Sequence, residues 1–337
     1  MFICCFTTIV LSAQNFDNLN KDLLADAPKE FWINCNFTTL SEIMGHFVND
    51  DRLMNYLENE EKTVAFLYAG LAGIKGANSN NQIGGWLEKA KELAVETYGR
   101  YSMYEGMAML GLGAFYLESD GKKAIQYEKE SLEILRIACG ENALETAVAE
   151  EQLAYHLTLS GVVDEADKAF QSAEARFKKG NQTHSLWYAR LLTERAVLRV
   201  MEKHKEMALS DLEAAVDILN PLMAAYNPDK EDLNPQETFI NYLGITVYVY
   251  NSTGFFKEAV EVGQTTLKLM EKMGINTSPD YAATMCNLGT SYILLKDYKS
   301  ATRWYQKARE HYETIGKTEE KGYQNAVNII NWLAVQK

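Results

Sequence analysis

Helix breakers are scarce in this chain. Its 337 residues include five prolines, and three of them, Pro221, Pro228 and Pro235, fall in one stretch. Such a sequence is free to form long helices, with one distinctive loop expected over 220–235. Cysteine is as rare. Beyond Cys4 and Cys5, only Cys35, Cys139 and Cys286 occur, far apart and odd in number. That spacing argues against a disulfide framework and against a zinc site. Positive charge is short: 33 Lys and Arg stand against 46 Asp and Glu, for a net charge of −13. No basic stripe is present to meet phosphates, so nucleic acid is not an expected partner. Long apolar runs are missing too. Phe2–Leu11 is apolar and uncharged but only ten residues long, too short to span a bilayer as a helix.

Catalytic signatures are also absent. There is no His-Glu-x-x-His, no Gly-x-Ser-x-Gly, no Cys-x-x-Cys and no phosphate-cradling Gly-x-x-x-x-Gly-Lys. The five histidines show no ligand spacing. Glu145, Glu150 and Glu151 read as the acidic start of a helix, favourable near its positive end. His156 reads as a packed or solvated imidazole. The sequence therefore predicts no enzyme, no cofactor and no metal.

Against these absences stands a period. Ala124, Ala166 and Ala208 are spaced by 42 residues, and so are Ala259 and Ala301. Each follows a polar turn and opens an amphipathic run. A fixed period of this size marks a repeat array. The 51 residues from Ala208 to Ala259 exceed it by nine, which the 220–235 insertion accounts for. Between alanines the pattern recurs: Leu153-Ala154, Leu157, Ala166, Phe170, Ala173, and then Leu288-Gly289, Tyr292, Ala301, Tyr305, Ala308. Small residues let two antiparallel helices approach, and large ones fill the space between neighbours.

This pattern resembles the tetratricopeptide repeat (TPR), in the long-period, kinesin-light-chain-like subtype, over roughly 63–318. The resemblance implies an all-α fold: a right-handed TPR-type α-solenoid of antiparallel helix pairs. In such arrays the first helix of each pair lines an inner groove that binds protein or peptide. The inward positions carried onto this chain include Glu151, Tyr155, Arg190, Asn241, Tyr248, Asn251 and Thr290, the expected partner-binding set. The aromatic cluster Phe239, Tyr242, Tyr248, Tyr250, Phe255 and Phe256 is divided between core and groove on this reading.

The ends complete the layout. Residues 1–13 read as a signal peptide cut after Ala13, implying export to a bacterial periplasm or cell envelope; the alternative is a buried N-terminal helix on a cytoplasmic protein. Residues 14–60 hold an N-terminal segment with a capping helix expected over 39–59. The solenoid occupies 61–317, and 318–337 forms a C-terminal capping helix. The reading is a non-catalytic exported scaffold. Its alternative is the sensory half of a system whose peptidase or kinase lies on another chain.

Overall fold

The computed structural model describes residues 22–75, 82–117, 119–224, 236–272 and 274–336. The expected signal peptide and most of the expected insertion lie outside these residues. Among the described residues there is no strand. The helices are α1 (Asp22–Ile33), α2 (Phe37–Val48), α3 (Asp51–Tyr56), α4 (Asn59–Lys75), α5 (Ile83–Tyr98), α6 (Met103–Tyr116), α7 (Gly121–Cys139) and α8 (Leu144–Leu159). They continue with α9 (Val163–Lys179), α10 (Leu186–Met201), α11 (Lys205–Ala224), α12 (Gln236–Thr253), α13 (Phe256–Lys272), α14 (Pro279–Leu294), α15 (Tyr298–Thr314) and α16 (Lys321–Leu333). From α4 onward they alternate as first and second members of pairs. None is long and apolar enough to cross a membrane.

The polar turns of the sequence are helix caps. Asp120 accepts from the Lys123 N–H at 3.1 Å, Ser278 from that of Tyr281 at 3.3 Å, and Asp297 from that of Ser300 at 3.0 Å. Within pairs the turn uses one left-handed residue at a fixed place: Gly161, Lys203, Gly254 and Lys296 all have positive φ. Glycine takes this conformation without steric cost, whereas each lysine gives up about 1–2 kcal/mol.

The periodic alanines sit where helices meet. Ala124, Ala166, Ala208, Ala259 and Ala301 are all fully buried. A Cβ added at Gly289 would lie 2.7 Å from the Tyr305 ring, so the pair closes only because that residue has no side chain. In the α6–α7 pair Glu128 takes the place of Tyr305: a Cβ at Gly113 would meet its Cγ at 2.5 Å.

The helices group into two compact units. One holds the described residues up to Leu191 with Gln236 and Glu237 at the start of α12; the other holds 192–224 and the described residues from Thr238 onward. Two local expectations change. The helix expected over 39–59 is two helices, because Asp50 leaves helical geometry and caps α3 through the Arg52 N–H at 2.9 Å. The expected 220–235 loop begins later, because α11 runs through Pro221 to Ala224. Pro221 falls in its last turn, so its missing N–H removes one helical bond close to where the helix ends.

Candidate functional site

In the first unit the faces of the first helices are covered by the chain itself. Trp32 of α1 and Phe37 of α2 pack on Trp187 of α10, with ring centroids 4.8 and 6.0 Å apart. The Trp187 indole donates to the Ile33 carbonyl at 3.1 Å. Lys29 pairs with Glu145 at 3.0 Å. Burial alone would lower the Lys29 pKa, but the Glu145 carboxylate outweighs it and holds the ammonium above its ordinary value. Only a narrow cleft is left between these segments, lined by Trp32, Phe37, Val148, Gln152, Trp187 and Arg190 among others.

Two of the expected groove residues are consumed here. Glu151 is fully buried and accepts a two-pronged bond from Arg190, whose Nε lies 2.9 Å from Oε1. Arg190 also stacks over the Trp187 ring at 4.5 Å. Tyr155 is half-buried beside His156. Glu145 does lie in the first turn of α8, and the acidic run also finds basic partners. Glu145, Glu150 and Glu151 pair with Lys29, Arg176 and Arg190. The sequence hid this because each partner lies 26 to 116 residues away. His156 is packed: its Nδ1 meets the buried Glu128 carboxylate, which also accepts from Gln152 at 3.0 Å. Both His156 and Glu128 are buried.

In the second unit the corresponding faces are open in part. Asn241 is exposed, and Tyr248 is 47% exposed. Asn251 donates through Nδ2 to Ser291 Oγ at 3.0 Å, joining α12 to α14. Its Oδ1 is buried without a donor. Thr290 is half-buried and internally satisfied: it donates to the Cys286 carbonyl at 3.1 Å and lies 2.7 Å from the Tyr305 hydroxyl. The aromatic cluster divides as follows: Phe239 and Tyr242 are core, Tyr250 and Phe256 are intermediate, and Tyr248 and Phe255 are exposed. Burial pushes the Tyr242 phenol up to about 12.

Charge is distributed unevenly in this unit. The first helices α12, α14 and α16 carry one charged residue each, at or near the start: Glu237, Asp280 and Lys321. The second helices α13 and α15 carry six each. Sequence reasoning overlooked this segregation, which the helix boundaries make visible. Burial raises the Cys286 thiol to about 12, far from thiolate at neutral pH. Among the described residues no group of His, Cys, Asp or Glu is placed to hold a metal.

The tetratricopeptide repeat family model matches residues 247–314. No curated protein matches the chain. Solved structures do. A Rap protein complexed with Competence and Sporulation Factor is 14% identical, with a TM-score of 0.60, over 99% of this chain and 94% of that one. The APC/C hetero-tetramer Cut9–Hcn1 is 17% identical, with a TM-score of 0.60, over 97% of this chain and 52% of that one. A putative kinesin light chain of Podosopora anserina with nearly identical TPR-like repeats is 16% identical, with a TM-score of 0.50, over 62% of this chain and 95% of that one. These likenesses concern fold. Together with the helix pairs and the buried alanines, they show tetratricopeptide repeats over 247–314 and an all-α, TPR-type fold for the described residues.

Proposed function

We propose that the protein is an exported, non-catalytic scaffold that binds a protein or peptide through the first-helix face of its second unit. The observation that carries this reading is the partly open state of that face: Asn241 and Tyr248 stand exposed where repeat proteins of this kind hold partners. Half-exposed tyrosine on a rigid helix is a good anchor, because it offers large contact area at low entropic cost. Similar folds have been solved with partners, as in the Rap protein complexed with Competence and Sporulation Factor and the Cut9–Hcn1 hetero-tetramer. The acidic balance disfavours nucleic acid. Export rests on the apolar run Phe2–Leu11 and the small residue Ala13.

A photo-crosslinking amino acid placed at position 248 tests the binding surface in cells. It should trap a discrete protein or peptide, whereas the same probe at Lys168, exposed on α9, should not. Equal trapping at both positions overturns the reading. Mass spectrometry of the cellular protein should find an N-terminus near Gln14; an intact Met1 overturns the export part alone.

A further inference from the structure

The period of 42 does not stop at the last full pair. Asn325, Asn328 and Trp332 of α16 follow Asn241, Gly244 and Tyr248 by 84 residues, two periods. The structure keeps that register. Ala326 and Leu333 of α16 are buried in one core cluster with Met285, Cys286 and Leu288 of α14. Asn325, Asn328 and Trp332 lie on the opposite side, all exposed, Trp332 at 42%. A helix that ends an array needs a polar outer face, which Asn325 and Asn328 supply here, but the large ring of Trp332 stands among them. Helix α16 has no charged residue between Gly322 and Gln336.

We infer that α16 is a third row of the binding face, and that the face takes an extended, uncharged peptide segment; this rests on the reading that the second unit binds through its first helices. Three arguments identify the occupant. The first is charge. In a protein of net charge −13, the face formed by α12, α14 and α16 is nearly neutral. It would strip water from a charged side chain and return no counter-charge. The second is hydrogen bonding. Asn241, Asn251, Asn325 and Asn328 are carboxamides, each with a donor and an acceptor. The backbone of an extended peptide offers the matching acceptor and donor at every residue, whereas a helix has already used its own. Asn251 fits this role, since Ser291 fixes its Nδ2 while its Oδ1 lacks a donor. The third is spacing. Tyr248 on α12 and Trp332 on α16 stand at equivalent places on either side of α14, and both are anchor residues of the type that dominate interface energy.

Three fluorescein-labelled pools of synthetic dodecapeptides provide the probe. One is built from Ser, Thr, Ala, Val, Leu and Phe, and the others carry added Asp or added Lys. The uncharged pool should be retained best by the full chain. Tyr248→Ala, Trp332→Ala and Asn328→Asp should each weaken that retention at least tenfold. Asn328 is exposed, so its variant keeps the test alive if Trp332→Ala does not fold. Loss with Tyr248→Ala but not with Trp332→Ala or Asn328→Asp overturns the third row and leaves the binding reading standing. Preference for a charged pool, or no retention of any pool, overturns the choice of occupant. No loss with Tyr248→Ala, together with no crosslink at 248, defeats the binding reading itself.

Discussion

Helices α8 and α14 hold the same place in their pairs and differ in what lies on them. Fourteen of the sixteen residues of α8 are buried, against seven of sixteen in α14. The helices that follow them differ less: α9 and α15 each bury the small–aromatic–small set, Ala166, Phe170 and Ala173 in one and Ala301, Tyr305 and Ala308 in the other. Packing within a pair is therefore common to both units, and the face turned away from it is where they diverge. In the first unit that face is roofed by α1 and α2, and its charges are spent on internal pairs. In the second it is neutral and exposed in part. One repeat grammar supports both outcomes because the residues that close a pair are not those that face outward from the first helix.

The sharpest way to break this comparison is to remove the residue on which the roof is fastened. Trp187 is buried against Trp32, Phe37 and Arg190. Trp187→Ala should cost about 3–5 kcal/mol, read as a drop in urea midpoint. Trp332→Ala in the second unit should cost far less, because half of that ring already faces water. Equal losses would mean that the two faces are equally structural. The shared part of the design predicts the converse. Ala166→Leu and Ala301→Leu overpack equivalent contacts and should each cost about 1–3 kcal/mol. Lys168→Leu, two residues on from Ala166 and exposed, should stay within about 0.5 kcal/mol.

A smaller effect probes the caps. The bond from Ser300 holds the Asp297 carboxyl below its usual range. The folded pKa is depressed, so this contribution is complete above the unfolded value of roughly 4 and is lost as pH falls through the folded one. Asp297→Ala should cost about 1 kcal/mol at neutral pH. Asp297→Asn, which still caps, should cost much less. The gap between wild type and Asp297→Ala should narrow below about pH 4 in thermal melts; a gap that stays constant to pH 2 would contradict the assignment.

The repeat was legible because it is local and periodic. Ala124, Ala166 and Ala301 announce themselves by spacing, and so does the turn residue at Gly161, Lys203, Gly254 and Lys296. What covers the first unit was not legible, because it happens once and over long separations. Trp32 and Trp187 are 155 residues apart, and nothing periodic links them. The fate of Glu151 follows the same logic. Its position in the repeat says which way it points, but not that Arg190 waits there. Helix α1 carries no repeat signal, and Pro28 lies inside Asp22–Ile33. Trp332 could have been found by counting two periods on from Tyr248. It was hidden by treating the last helix as an end rather than as the first half of another pair.

The smallest expected effect is the one on which the comparison turns. Tyr248 is exposed on α12, and its neighbours in the chain, Val247 and Val249, are buried. Helix geometry explains the alternation: successive residues point about 100° apart, so the two valines serve the core while the tyrosine stands clear of it. Truncation at 248 leaves no cavity and strands no partner. Tyr248→Ala should therefore shift stability by no more than about 0.5 kcal/mol, well under the cost of Val249→Ala beside it. If the face is a binding surface, the same substitution is large in binding and small in folding. Trp187→Ala gives the opposite result, because its ring is already spent on the fold. Parallel urea titrations of Tyr248→Ala, Val249→Ala and Trp187→Ala settle the order. A midpoint for Tyr248→Ala as low as that of Val249→Ala would show that the tyrosine belongs to the core, and the second unit would then be as closed as the first.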